Sequence, residues 1–282
     1  MSLRVKSLAT GSSGNAILVQ AGETSLLIDC GLPTRAVEQY LRHAHIDPAS
    51  LGAIALTHEH TDHIQSAGVM ARRYGVPIVA NKRTLDEGKG ALGDTPSLEL
   101  ATGSCRTIGE IELASFYIPH DAAEPVGYFL TYQDWRVCVI LDAGKPCYEM
   151  RQPLRQADLV IIEANHERER LIAGPYTRLL KARILSDMGH LSNMEAAQLL
   201  AETANGKHKW AWLAHLSDVN NTPRIALRTV RHYLRHEGVT SIELAISKRD
   251  RPSAHWESDA AAWQAPLLQW EPQTDADRQG TP

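Results

Sequence analysis

The sequence predicts an α/β fold in which two β-sheets pack face to face with helices outside. Three observations lead there. Short apolar runs bounded by turn residues recur along most of the chain. Helical periodicity alternates with such runs in the first third and again after about residue 145, leaving a β-rich middle. No internal repeat appears at solenoid periods, so the runs belong to sheets rather than to a stacked array.

The elements follow in order. Residues 3–9 and 16–20 read as strands separated by the turn-rich Gly11-Ser12-Ser13-Gly14-Asn15. Residues 25–29 form an apolar run ending in a carboxylate, 34–43 a helix, and 53–56 a strand entering a histidine cluster. Residues 64–74 read as a helix and 76–80 as a strand. The Gly-, Asp- and Pro-bearing stretch 86–97 is expected to be a mobile loop. Strands are expected at 105–108, 111–118, 126–132 and 137–141, then at 159–162, 210–214 and 242–245. Helices are expected at 194–203 and 224–236. Residues 1–252 are thus expected to form one domain, and 253–282 a polar tail. Its Trp256, Trp263 and Trp270 would dock either on the core or on a partner.

With 43% hydrophobic residues in 282, the chain can bury a large core. The formal net charge of −4 provides no global field for gathering polyanions, so nucleic-acid binding would need a local basic patch. Cys30, Cys105, Cys138 and Cys147 show no CxxC spacing and read as reduced thiols of a cytoplasmic protein. A strand pattern starts almost at residue 1, which leaves no room for a signal peptide, and no apolar run is long enough to span a bilayer.

The chemistry is concentrated in His58-Glu59-His60-Thr61-Asp62-His63. Imidazole nitrogens and carboxylate oxygens suit zinc, manganese or iron. In extended backbone His58 and His60 point the same way. Asp62 and His63 fall where the chain turns into a helix, so they can face a second ion. Six residues cannot saturate two cations. Three later positions place a ligand type directly after a β-run: His120, Asp142 and His215. Each would be unremarkable without the histidine cluster; together they complete a two-metal set.

These ordered motifs resemble the metallo-β-lactamase superfamily, and most closely its YycJ/WalJ-type exonuclease branch. Asp29 matches the first motif and His58, His60, Asp62 and His63 the second. His120 matches the third, Asp142 the fourth and His215 the fifth. The resemblance implies a metallo-β-lactamase αββα sandwich, with His58, His60 and His120 on one divalent ion, Asp62, His63 and His215 on the other, and Asp142 bridging. Asp29 would brace the ligand loop. The branch is suggested by Ala9–Asn15, by Pro119-His120-Asp121-Ala122 and Glu124-Pro125-Val126-Gly127, and by Glu163-Ala164-Asn165-His166. Gly189-His190-Leu191-Ser192-Asn193 and His215-Leu216-Ser217 with Asn220-Asn221 add to it. True β-lactamases of this fold place a cysteine where Asp142 stands. The interval from Asp142 to His215 is too short for the extra domain of β-CASP nucleases. Ala143 and Ser66 depart from the threonine and glycine common in relatives, but neither substitution removes a ligand.

By likeness to tRNA 3′-processing endonucleases, which carry a similar histidine positioned by a glutamate, His190 would donate a proton to the leaving group. Glu163 would orient it, and Asp62 counts with this catalytic set. Asn193, at a helix start, is a candidate phosphate contact. Arg224, Arg228, Arg231 and Arg235 fall on one helical stripe that could track a nucleic-acid backbone, though a solvated face fits the pattern equally well. The leading expectation is a two-metal phosphodiester hydrolase acting on DNA or RNA. The competing ones are a small-molecule hydrolase, of glyoxalase II or cyclic-phosphodiesterase type, and a non-catalytic metal-binding scaffold.

Overall fold

The reversal at residues 11–15 sets up the first sheet. In the computed structural model, which describes residues 2–259, β1 (Leu3–Ala9), β2 (Ala16–Ala21) and β3 (Thr24–Ile28) pair antiparallel. β4 (Ala53–Ala55), β5 (Ile78–Ala80) and β6 (Ser97–Glu99) then add in parallel. Parallel pairing needs crossovers. They are supplied by α1 (Thr34–His43), α2 (Thr61–Ile64), α3 (Ala67–Tyr74), α4 (Lys82–Glu87) and α5 (Lys89–Leu92).

The second sheet repeats this plan. β7 (Cys105–Ile108), β8 (Ile111–Tyr117), β9 (Val126–Tyr132) and β10 (Trp135–Ile140) form an antiparallel meander. β11 (Leu159–Glu163), β12 (Lys209–Ala214) and β13 (Ile242–Ile246) extend it in parallel. The connections carry α6 (Tyr148–Gln156), α7 (Arg168–Ala173), α8 (Arg178–Ile184), α9 (Asn193–Glu202) and α10 (Pro223–His236). Finally β14 (His255–Glu257) returns to pair antiparallel with β1 and completes the first sheet at seven strands, matching the seven of the second.

Period-two alternation makes this a four-layer sandwich. In β10, Val137 and Val139 face the other sheet while Cys138 and Ile140 face the helices; in β11, Leu159 and Ile161 face in and Val160 and Ile162 face out. Both sets are apolar because both faces are covered. On α10, Ala226, Val230 and Leu234, spaced by four, are the buried stripe. A third apolar layer packs Val37 and Leu41 of α1 and Met70 and Ala71 of α3 against the first sheet. Ile161 is wholly buried, so truncating it to Ala would cost about 2–5 kcal/mol.

Three local expectations need correction. The stretch 86–97 is structured: Asn81 caps α4 by accepting the Thr84 amide at 2.9 Å, and Leu92 is buried in the helix–sheet core. The helix expected at 64–74 is two helices. Ser66 interrupts it, its amide bonding Cys30 O at 2.9 Å and its hydroxyl donating to Leu32 O, which ties the helical turn to the loop after β3. Within the stretch assigned to the tail, β14 is a strand. Its Trp256 sits in the inter-sheet core, edge-on to Trp135 and Trp210 at centroid distances of 5.6 and 5.8 Å. Trp263 and Trp270 lie outside the described residues. Among the described residues no helix is long and apolar enough to cross a membrane.

Candidate metal centre and cleft

In open α/β sheets, ligands gather beyond the carboxyl ends of parallel strands. Here five such ends meet at one edge of the sandwich. Asp29 follows β3, His58 to His63 follow β4, Asp142 lies just past β10, Glu163 ends β11 and His215 follows β12. His120 comes from the loop after β8. Three of these residues leave their strands in left-handed backbone: Asp29 at φ 60°, Asp142 at 54° and His215 at 51°. Asp and His tolerate that region better than most residues. It turns the chain sharply, so the side chains point along the sheet edge.

The candidate ligands converge in two groups. His58, His60, His120 and Asp142 form one; Asp62, His63, His215 and Asp142 form the other; within each group the donor atoms lie within 4.8 Å of one another. Asp142 reaches both: Oδ2 is 2.9 Å from His63 Nε2 and 3.5 Å from His58 Nε2, and Oδ1 is 2.8 Å from His215 Nδ1. Several rings are fixed from behind. His63 Nδ1 donates to Asp29 Oδ2 at 2.7 Å, and His120 Nδ1 donates to Gly189 O at 2.9 Å. His58 Nδ1 meets Thr57 Oγ1 at 3.0 Å, and Thr57 is itself held by Asp29 through its amide and hydroxyl. Such rear contacts set the tautomer and aim the other nitrogen at a metal.

The donor set fits a divalent cation, and one buried nitrogen lacks any other partner. His215 Nε2 has no hydrogen-bond partner among the described residues, and burying an unpaired polar atom costs about 1–3 kcal/mol. The charges tell the same story. Burial pushes His58 well below the usual imidazole range, helped by the neighbouring His63 charge. Burial pushes His63 and His215 down too, but the Asp29 and Asp142 carboxylates at His63, and Asp142 at His215, outweigh it and hold both well above that range. Burial likewise opposes ionisation of Asp142, yet His215 and His63 hold it well below the usual carboxylate range. Protonated imidazoles thus balance the buried carboxylate where cations would otherwise do so.

Beside the centre lies a cleft of about 260 Å³. His190 lines it, with Nδ1 at 2.7 Å from Glu163 Oε1. Burial disfavours the imidazolium, but the Glu163 charge and hydrogen bond outweigh that and raise His190 above the ordinary histidine range. Glu163, His190, His215 and Asp142 also form a third close group.

Two sequence expectations are placed differently. Asn193 is fully buried, its amide donating to Glu167 Oε2 at 3.0 Å and its carbonyl oxygen accepting from Asn221 at 2.8 Å. It is engaged inside the protein rather than offered to a phosphate. Arg224, Arg228, Arg231 and Arg235 are exposed on α10, but none lines the cleft; Arg231 and Arg235 border a separate groove with Glu243. The cleft instead contains Asp121, Tyr176, Leu180 and Arg183. Asp121 adjoins a recognisable ligand, whereas Tyr176 and Arg183 sit in a stretch with no motif, and only their tertiary position marks them.

Comparison with known proteins agrees with the fold. The family model of the Metallo-beta-lactamase superfamily matches residues 9–135. Exodeoxyribonuclease YycJ of Bacillus anthracis is 36% identical over 241 residues, spanning 84% of this chain and 91% of that protein. Exodeoxyribonuclease WalJ of Streptococcus pneumoniae is 38% identical over 232 residues, spanning 80% of this chain and 86% of that protein. The crystal structure of the metallo-β-lactamase fold protein YhfI from Bacillus subtilis superposes with a TM-score of 0.69 at 19% identity, covering 91% of this chain and 99% of that one, a likeness of fold. On motif, architecture and sequence alike, the chain belongs to the metallo-β-lactamase superfamily, in the branch of the YycJ and WalJ proteins.

Proposed function

We propose that this protein is a cytoplasmic, metal-dependent exodeoxyribonuclease that hydrolyses phosphodiester bonds. His58, His60 and His120 would hold one divalent ion and Asp62, His63 and His215 a second, with Asp142 between them; zinc, manganese and iron all suit these donors. Ions there supply Lewis acidity, offsetting negative charge that grows on phosphate oxygens and activating water. The protein's own groups do the rest. Asp29, Thr57 and Gly189 O keep His63, His58 and His120 aimed inward. Glu163 holds His190 Nδ1, which leaves Nε2 to give its proton to the departing oxygen.

The Glu163–His190 pair beside the double histidine–aspartate cluster carries this reading. Metal storage needs no oriented proton donor, whereas expulsion of an alkoxide does. The named activity of the YycJ and WalJ relatives favours DNA as the substrate. The test uses 5′- and 3′-labelled DNA strands, single and duplex, before and after chelation and with manganese or zinc restored. Progressive shortening that chelation abolishes is expected. His190→Ala should lower kcat by about 10²-fold or more with metal content near wild type. Intact turnover in that variant would remove the proton-donor role, and no shortening by the wild-type protein would remove the nuclease reading.

A further inference from the structure

The segment between β11 and β12 that carries α7 and α8 forms one side of the cleft, through Tyr176, Leu180 and Arg183. Arg183 sits at the rim with its side chain 61% exposed. Its Nε donates to Asp121 Oδ2 at 2.6 Å, and its Nη1 and Nη2 have no hydrogen-bond partner among the described residues. The other oxygen of Asp121 is 3.2 Å from Nε2 of His120. One carboxylate therefore ties the guanidinium to the metal centre, using one of its donors and leaving the terminal pair open. A planar pair of N–H groups matches two phosphate oxygens.

Two further features belong to the same segment. Residues 168–190 contain five Lys or Arg against two acidic residues, in a chain of net charge −4, so the segment is locally basic, and Arg183 is the member that lines the cleft. Apolar side chains stand exposed there as well, Leu179 at 83% and Leu180 at 36%, next to the half-buried ring of Tyr176. Cations interleaved with an aromatic ring suit a strand whose phosphates and bases alternate. The cleft, at about 260 Å³, is smaller than the roughly 300–1,000 Å³ of ordinary small-molecule pockets. A polymeric substrate must therefore lie mostly on the rim.

We propose that Arg183 grips a phosphate of the nucleic-acid strand next to the one being cleaved, and that Tyr176 stacks on the adjoining base. Asp121 is the positioning residue for that grip. This assignment rests on the exodeoxyribonuclease reading and names the surface by which that site engages its strand.

The test measures KM, kcat and salt dependence on labelled DNA for full-length metal-loaded variants. Arg183→Ala should raise KM by about 10- to 100-fold with kcat within about threefold of wild type. It should also flatten the slope of log KM against log salt by about one unit. Tyr176→Ala should raise KM by about 5- to 100-fold, and Tyr176→Phe should restore most of the loss. Asp121→Asn should raise KM at unchanged metal content, yet add less than about twofold in the Arg183→Ala background, because the two residues act as a unit. An Arg183→Ala enzyme with wild-type KM and salt slope overturns the assignment while leaving the nuclease reading intact. A wild-type protein that neither degrades nor binds labelled DNA overturns both.

Discussion

Glu163 divides its carboxylate between His190 and the backbone. Oε1 lies 2.7 Å from His190 Nδ1 and 2.9 Å from His215 Nδ1, while Oε2 accepts the amides of Ala143 and Leu191 at 2.9 and 3.2 Å. A wholly buried carboxylate with this many donors is fixed in place, and it fixes the ring beside it.

Glu163→Gln keeps the shape but removes the charge that, against the pull of burial, keeps His190 protonated to higher pH than an ordinary histidine. Turnover should fall by about 10- to 100-fold, and the alkaline limb of the kcat profile should move to lower pH. Combined with His190→Ala, the second substitution should add less than it costs alone, since most of its effect passes through the same ring and the rest through His215. Fully additive losses would separate the two residues.

Asp29 bonds His63 Nδ1 at 2.7 Å with one oxygen and the Thr57 amide at 2.8 Å with the other. Asp29→Asn should weaken metal affinity by about 10- to 100-fold, measured by competition with a calibrated chelator. Activity should return at high metal concentration. Wild-type affinity in this variant would mean that His63 needs no rear support.

Gly31 marks where the loop after β3 presses on the ligand turn. A Cβ there would lie 1.6 Å from the Asp62 carbonyl oxygen, a backbone atom that cannot rotate away. Gly31→Ala should destabilise the protein by at least about 1–3 kcal/mol, read as a lowered Tm, and should reduce metal content. Gly90→Ala, on α5 with no atom within 4 Å of the new Cβ, should be neutral or gain up to about 1 kcal/mol from helix propensity. Equal Tm values for the two variants would contradict this packing.

The thiols test the layers independently of activity. Cys105 is exposed, and Cys30 and Cys138 are buried. Cys147 is half-buried, its thiol pushed up to about 11 by burial and then by Glu149. In a colorimetric thiol assay at pH 8, Cys105 should react fast and Cys147 slowly, because few thiolates form three units below its pKa. Cys30 and Cys138 should wait for unfolding. Four fast thiols would be incompatible with the sandwich.

The ligand turn was legible because its geometry is local. Four side chains within six residues, shortly after a strand, must share one edge, whatever the rest of the chain does. His120, Asp142 and His215 were legible for a related reason, since each ends an apolar run and a sheet delivers its strand ends to a common rim. The two-sheet architecture followed from the period-two and helical patterns, which depend only on near neighbours. Tertiary structure alone decided which helices face the cleft. The arginines of α10 form an exposed stripe, yet none of them lines the cleft. Arg183 reaches the rim instead, through a contact with Asp121 that spans 62 residues of sequence. Asn193 likewise went inward to Glu167 and Asn221. Local periodicity sets which face of an element is apolar, but what that element meets depends on how the layers stack, and no short stretch of sequence contains that information.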